Sequence, residues 1–437
     1  MRIGFFTDTY IPQITGIGFV VHDLKRELEA LGHEVYIIAP APSLRYKESD
    51  PHIIRYPALK GVFLEDYMAP LFFPPQALRR IKALKLDLIQ FYTPSQIGLM
   101  GIYAASTLDI PLVSYYSTDL FEYIAHYPHV LPGILGLTLL APITIRGQRQ
   151  DFKQAFLSLK PEPKLDLWGQ KIVVKMMTVV HNHCDRIIAP SPKIKQQLLS
   201  WKTQTGIEII PAGVDRLPIS DQSIKDFTNR FGIQPEDKII LHVSRVSKEK
   251  NVELLIKAFG IVAQHDRTSK LLIVGDSPHR ATLMDLTDSL DLSAKVIFSG
   301  MIDHHVLGSI YALGQVFAYP SITDTQCLTL NEAAGAGLPI VMADPEITEV
   351  VKDRINGLVA QNNPADFASK LLTILKSAKK RQAMSAASTQ LAAKFSTRTQ
   401  ALKLLEVYQD VIGQHPKRSR SKWSAAAWIE QLRSSLE

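Results

Sequence analysis

Residues 1–40 read MRIGFFTDTYIPQITGIGFVVHDLKRELEALGHEVYIIAP. An apolar run, Ile3 to Phe6, leads through a loop, Asp8 to Gly18, to apolar residues at helical spacing, Val20, Val21, Leu24 and Leu28. Leu31-Gly32-His33 supplies a helix stop, and a second apolar run, Val35 to Ile38, follows. This pattern predicts a β-loop-α-β unit, and such a unit opens a parallel sheet. Short strands are expected again at Leu88 to Phe91, Pro111 to Tyr115 and Arg186 to Ala189, separated by helical segments. The first half is therefore expected to be a parallel α/β domain.

Strand and helix patterns resume after a polar stretch, Arg216 to Asp237, which is the expected linker. Strands are predicted at Ile239 to Val243, Leu271 to Val274, Val296 to Phe298, Val316 to Ala318 and Pro339 to Met342. A last helix is predicted from Thr397 to Ile412, ahead of a polar tail. The resulting division is 1–212, 213–395 and 396–437. A chain of 437 residues is too long for one ordinary core, which favours the same two-domain arrangement.

Composition narrows the class. Hydrophobic residues make up 46% and charged residues 21%, the balance of a globular enzyme and not of a disordered chain. Cys184 and Cys327 lie far apart and suggest no framework of bridges, so a reducing, cytoplasmic compartment is expected. The first ten residues lack the charged-then-apolar layout of a secretory signal. The apolar run Val130 to Ile145 is interrupted by Pro132, Gly133, Gly136 and Pro142 and falls short of the ~20 residues of a spanning helix. The net charge of +7 is compatible with nucleic acid, an anionic membrane surface or a merely basic enzyme. With no zinc-finger spacing and no aromatic ribonucleoprotein motif, nucleic acid ranks last.

Three segments could carry chemistry. The loop Asp8 to Gly18 brings two glycines to a helix start, where missing Cβ atoms let a phosphate approach the amides; a tight turn explains it as well. Val243-Ser-Arg-Val-Ser-Lys-Glu-Lys-Asn251 follows a strand and places Arg245 and Lys250 at the carboxyl edge of a sheet, where they could neutralise a diphosphate or form a solvated basic loop. The stretch Tyr319 to Pro339 holds two carboxylates, Asp324 and Glu332, with seven residues between them and a helix starting in the interval. One could accept from sugar hydroxyls and the other from ribose hydroxyls, while amides near Thr325 to Cys327 hold phosphate oxygens.

These segments, with Ile273-Val-Gly-Asp-Ser-Pro278 and Gly300-Met-Ile302, occur in the order found in retaining glycosyltransferases of family four, which the sequence resembles over about residues 1 to 412. Within that family it is most similar to bacterial diacylglycerol glucosyltransferases, through Arg2 to Gln13 and Ser321 to Thr329. The resemblance implies a GT-B fold, two Rossmann-like domains facing across a cleft, with a C-terminal helix crossing back to the first. It implies a donor site of Gly16, Arg245, Lys250, Met301, Asp324, Thr325, Gln326, Cys327, Leu328 and Glu332. Catalytic roles fall to Ser117, Asp324, Arg245 and Lys250. The donor would be a nucleotide sugar, UDP-glucose, with no cofactor and no metal required.

The sequence departs from the family at four places, one of them Ala343-Asp-Pro-Glu346, where a paired glycine after the strand is absent. Asp324 stands where Glu is usual, and Cys327 stands in place of a glycine before the helix. Ser117, in Val113-Ser-Tyr-Tyr-Ser-Thr-Asp119, replaces a histidine that points at the donor sugar; serine can hydrogen-bond a hydroxyl but cannot become a cation near neutral pH. Asp119, Glu122 and His126 are acceptor-side candidates, a solvated helix face being the alternative. His181-Asn-His-Cys184 lacks a second ligand pair and is read as a helix end. Asp303 is read as the cap of a helix beginning at His304 and His305.

A lipid acceptor at an anionic membrane surface, on its inner face, fits three features: the run Val130 to Ile145 with Arg146 and Arg149 after it, the loop Phe63 to Pro75 with Tyr67, Leu71, Phe72 and Phe73, and the tail. The tail joins Lys417-Arg-Ser-Arg-Ser-Lys422 to Trp423, Trp428, Leu432 and Leu436. A core helix and a packed loop explain the first two equally. The function expected is hexosyl transfer to a lipid such as diacylglycerol. The alternatives are a non-catalytic nucleotide-sugar-binding homologue, because of Ser117, or transfer to a soluble acceptor. An oxidoreductase is disfavoured, because Gly16-Ile-Gly-Phe-Val-Val21 lacks the Gly-x-Gly-x-x-Gly spacing.

Overall fold

The computed structural model describes residues 1–13, 15–60, 68–70, 75–145 and 163–415. Two compact units divide the chain. One takes the described residues of 1–190, 194–210 and the segment from Ala401; the other takes 191–193 and 211–400.

The first unit is built on a seven-stranded parallel sheet: β1 (Arg2–Phe6), β2 (Glu34–Pro40), β3 (Ile53–Tyr56), β6 (Leu88–Phe91), β7 (Leu112–Tyr115), β8 (Arg186–Ala189) and β9 (Ile207–Ile209). Their order is β3-β2-β1-β6-β7-β8-β9. A separate antiparallel pair joins β4 (Ala58–Lys60) to β5 (Met68–Pro70). The opening β-loop-α-β unit forms as expected. Thr15 caps the helix Gly16–Ala30 by accepting from the Gly18 amide. The helix closes with bonds from Gly32 to Glu29 and from His33 to Leu28, and Gly32 takes the positive φ (+86°) that glycine tolerates best.

Because side chains alternate across a strand, Phe5 and Phe6 enter opposite cores. Both faces of β1 and β2 are covered, which is why these strands read as unbroken apolar runs. The C-terminal helix, Thr397–Gln414, completes one face with Ala401, Leu404, Leu405, Tyr408 and Val411. Tyr408 donates to the side-chain oxygen of Gln90 of β6 (2.6 Å), tying the C-terminal helix to a buried polar group inside the sheet.

The second unit carries a six-stranded parallel sheet: β10 (Lys238–Val243), β11 (Ser269–Val274), β12 (Val296–Gly300), β13 (Gly314–Tyr319), β14 (Ile340–Met342) and β15 (Gly357–Val359). The order β12-β11-β10-β13-β14-β15 runs outward in both directions from β10 and β13, so the chain reverses its direction of travel between those two strands. Gly275, just past β11, has φ +130°, and a Cβ there would lie 1.8 Å from the Ser244 carbonyl oxygen. Only glycine lets the ends of β10 and β11 approach this closely.

Four sequence expectations change. Arg216 to Asp237 is not a tether: it contains the helix Asp221–Phe231, capped by Ser220 and ended by Gly232 in the left-handed region, with Phe227 buried. Its polarity reflects an amphipathic surface helix. The strands β3, β9 and β15 and the β4–β5 pair were not anticipated, being short or, for β4 and β5, lacking an apolar run. The run at Val130 is, from Leu131 to Ile145, one uninterrupted helix, with Pro132 in the first turn where a proline costs little. It packs on the helices Gln96–Leu108 and Leu165–Asn182 and buries Leu131, Ile134, Thr138 and Ile145, which matches the core-helix alternative. The loop Asp8 to Gly18 is shorter than expected, because Gly16 and Gly18 already belong to the first helical turn.

Among the described residues no helix is long and apolar enough to cross a membrane. Most of the loop Phe63 to Pro75, Arg146, Arg149 and the tail from Lys417 lie outside the described residues.

Candidate functional site

Open parallel sheets bind ligands beyond the carboxyl ends of the strands where the winding direction reverses. In the second unit that point lies between β10 and β13, and the two loops leaving it are 244–251 and 320–327. These are the loops in which the sequence placed its charged candidates. Ser321 Oγ and Thr323 Oγ1 both donate to the Glu249 carbonyl (3.2 and 3.1 Å), and Asn251 Nδ2 donates to the Pro320 carbonyl (3.2 Å). The loops are thus stitched together before any ligand arrives, a form of preorganisation.

Lys250 does not stand free beside Arg245. Its ammonium donates to Asp324 Oδ1, and Asp324 Oδ2 accepts from the Tyr319 hydroxyl (2.6 Å). Burial pushes the Asp324 carboxyl up, but the Lys250 charge together with bonds from Lys250, Tyr319 and Ser321 outweighs it and holds the group below the ordinary aspartate value. Among the described residues, the Arg245 guanidinium reaches Glu249 (3.4 Å) and 64% of its side chain is exposed. The pair expected to converge on one diphosphate is therefore held by two different carboxylates, and Arg245 is the cation more available to solvent.

Glu332, on the helix Leu328–Gly335, is likewise engaged: Tyr311 donates to its Oε2 (2.7 Å) and His304 Nε2 lies 3.6 Å from its Oε1. Asp324 and Glu332 thus have separate partners. Cys327 occupies the cap position of that helix without a capping bond; its thiol is buried, lies 3.0 Å from Thr329 Oγ1, and is pushed up to about 12 by burial. Gln326, expected among the donor contacts, turns its side-chain amide onto the Ala212 main chain, accepting at 2.8 Å and donating at 3.1 Å. Leu328 begins the helix, and Thr325 precedes it in the same loop. Met301, after Gly300, is 59% exposed.

Beneath the site, His242 on β10 is buried, and burial lowers it to about 4, so it is neutral at pH 7. Its Nδ1 donates to the Ala318 carbonyl (2.8 Å) and its ring stacks on Tyr319 at 5.9 Å. Sequence reasoning missed Tyr319, Tyr311 and His242. Tyr319 borders the acidic motif and was readable from that adjacency, whereas Tyr311 comes from another helix and gave no signal. Asp303 caps the helix His304–Tyr311 by accepting from the His305 amide, as expected.

The first unit's candidates fare differently. Ser117, after β7, donates its hydroxyl to the Tyr92 carbonyl (2.8 Å) and lies 3.2 Å from Thr93 Oγ1. Asp119 is not part of a solvated helix face. It is 7% exposed and caps the helix Leu120–His126, accepting from the Phe121 amide, the Tyr116 hydroxyl and Gln197 Nε2. Burial raises its carboxyl despite those bonds. Glu122 lies in the first turn of that helix, and His126, exposed at its end, donates from Nδ1 to the Glu122 carbonyl (3.0 Å). Gly16, exposed, opens the first helix. His181 closes the helix Leu165–Asn182, buried and lowered by that burial to about 4.

Comparison with known proteins agrees with this architecture on both halves. Residues 14–216 match the family model Glycosyltransferase Family 4, and residues 223–391 match Glycosyl transferases group 1. The chain is similar to the alpha-monoglucosyldiacylglycerol synthase of Acholeplasma laidlawii, with 30% identity over 376 residues, 83% of this chain and 85% of the relative. It is also similar to the enzyme of the same description in Streptococcus pneumoniae, with 29% identity over 363 residues, 82% of this chain and 74% of that one. Among solved structures, Anabaena HepE in complex with UDP matches with a TM-score of 0.67 at 16% identity, covering 94% of this chain and all of that one, which shows the fold. With two parallel α/β units, a charged constellation at the switch point of the second and family matches along both, the chain belongs to glycosyltransferase family four and is a glycosyltransferase of GT-B fold.

Proposed function

We propose that this glycosyltransferase moves glucose from UDP-glucose to the hydroxyl of a membrane lipid such as diacylglycerol, with retention at the anomeric carbon. The observation that carries the donor half is the gathering of Arg245, Lys250, Asp324 and the start of the Leu328–Gly335 helix at the switch point between β10 and β13. The lipid acceptor and the choice of glucose rest on the two synthases the chain resembles along most of its length. In this scheme the second unit, within 213–395, holds the nucleotide sugar. The first, within 1–212, receives the acceptor, with Glu122 and His126 on its exposed side.

The acceptor oxygen bonds to the anomeric carbon as the bond to the diphosphate oxygen breaks, and the acceptor proton passes to the departing diphosphate. Lys250, Arg245 and the amides at the helix start, from Thr325 to Leu328, stabilise the charge that develops on the leaving group. Glu332, held by Tyr311, accepts from ribose hydroxyls, and Met301 flanks the base. The scheme uses no metal and no cofactor. The enzyme works at the inner face of an anionic membrane, to which the basic tail from Lys417 to Lys422 attaches it.

The test incubates the full chain with vesicles of diacylglycerol and anionic phospholipid and with UDP-glucose, UDP-galactose or GDP-mannose, followed by mass analysis of the lipids. Hexosyl-diacylglycerol and UDP are the expected products. A hexose on a soluble acceptor, with none on lipid, refutes the lipid assignment. A second reading, binding without turnover, is favoured by one observation, the use of the Ser117 hydroxyl by the Tyr92 carbonyl. It prevails if UDP binds, no donor and acceptor pair reacts, and Ser117→His restores product.

A further inference from the structure

The sequence suggested Asp324 as a direct partner of sugar hydroxyls, but its surroundings suit another task. Both carboxylate oxygens are engaged from within the unit, Oδ1 by Lys250 and Oδ2 by Tyr319. The side chains of Lys250 and Asp324 are 14% and 15% exposed. A lysine ammonium is a compact charge on a flexible four-carbon stem with no preferred direction of its own. It points reproducibly at a phosphate only where something rigid holds it. Aspartate, one methylene shorter than glutamate, reaches less far into solvent and lies back against the sheet. Tyr319 supplies the rigid end: it is 2% exposed, terminates β13, and is stacked on His242 and on Phe317 at 6.3 Å.

Building on the reading of this unit as a nucleoside-diphosphate site, we propose that Tyr319 and Asp324 are positioning residues. The Tyr319 hydroxyl orients the Asp324 carboxylate, which in turn holds the Lys250 ammonium where the donor's second phosphate lies. Asp324 thereby acts on the donor through Lys250, and diphosphates are distinguished from monophosphates by a relay that begins in the sheet.

The test is calorimetric binding of UDP, UMP and uridine to the full chain and to Tyr319→Phe, which removes one hydroxyl and leaves every formal charge in place. Tyr319→Phe is expected to weaken UDP about 5- to 10-fold, less than the full worth of a hydrogen bond to a charged group because the loss reaches the phosphate only through Asp324 and Lys250, while UMP and uridine stay within about twofold. Asp324→Glu, which keeps the charge and moves the carboxylate forward, is expected to lower the same UDP-to-UMP preference. It decides the matter if Tyr319→Phe does not fold. Equal weakening of all three ligands would mean general loosening of the sheet end and overturns the relay. So does unchanged or tighter UDP binding. Wild-type protein that binds UDP yet glycosylates no lipid refutes the acceptor assignment and leaves the relay standing. Failure to bind any nucleoside diphosphate refutes the donor reading and the relay together.

Discussion

The carboxyl edges of the two sheets are built from the same kind of loop and use their polar residues in opposite ways. At the second sheet, carboxylates are set against cations and phenols: Lys250 on Asp324, Arg245 on Glu249, Tyr311 on Glu332. These contacts link side chain to side chain, so each group keeps further hydrogen-bonding capacity that a ligand can take up. At the first sheet, Ser117 and Asp119 are bonded largely to main chain or to buried partners, the Tyr92 carbonyl, the Phe121 amide, Tyr116 and Gln197. There the polar residues hold the loop. Residues of similar type thus take different parts at the two edges: at the second, carboxylates meet cations and phenols, whereas at the first Ser117 bonds a carbonyl and Asp119 caps a helix.

That contrast can be broken or sharpened by experiment. The largest effect is expected from Lys250→Ala, which removes a cation aimed at the leaving group and strands Asp324. Transfer should fall about 100- to 1000-fold, roughly 3–4 kcal/mol, read as kcat/KM with UDP-glucose; a loss below tenfold would place the diphosphate elsewhere. Next comes acidification, which touches both units. His181 and His242 are lowered to about 4 by burial, against about 6.5 in the unfolded chain. Between these values the unfolded state binds the proton and the folded state does not. Stability is therefore full above pH 6.5 and declines as pH falls toward 4, by about 2 kcal/mol per histidine at pH 5. Calorimetric melts from pH 7 to 5 should show it, and an unchanged Tm would contradict the buried neutral state of both rings.

Asp119→Ala should cost about 1–2 kcal/mol through the lost cap and its bonds to Tyr116 and Gln197. UDP affinity should not change. Weaker UDP binding in a fully folded variant would erase the distinction between the two edges. The smallest effect is expected from Ser117→Ala: no more than about 1 kcal/mol in denaturant unfolding, and less than about threefold in kcat/KM, since the hydroxyl serves the Tyr92 carbonyl. A larger kinetic loss would return Ser117 to the reacting groups.

The α/β alternation was readable because buried parallel strands are apolar on both faces, and Leu88–Phe91 and Arg186–Ala189 fall where their apolar runs stand. Edge strands such as Gly357–Val359, three residues long, are too short for their pattern to stand out. The helix Asp221–Phe231 was mistaken for a tether because only Phe227 of its residues is buried. At the site, residue identity located the loops of Arg245, Lys250, Asp324 and Glu332, but not their pairing.

Local pattern and spacing, which depend only on neighbours along the chain, determined the fold class, the family resemblance and which loops carry charge. Contacts between distant segments were decided by the tertiary structure alone. Lys250 and Asp324 are 74 positions apart, and Tyr311 and Glu332 are 21 apart on different helices. Whether a carboxylate faces a ligand, a lysine or a helix amide depends on which strands lie side by side, and the order β10 next to β13 is a property of the whole sheet. For the same reason the sequence singled out Asp119 as an acceptor-side candidate or part of a solvated helix face, while its burial, its capping of a helix and its bonds to Tyr116 and Gln197 became visible only in the folded unit.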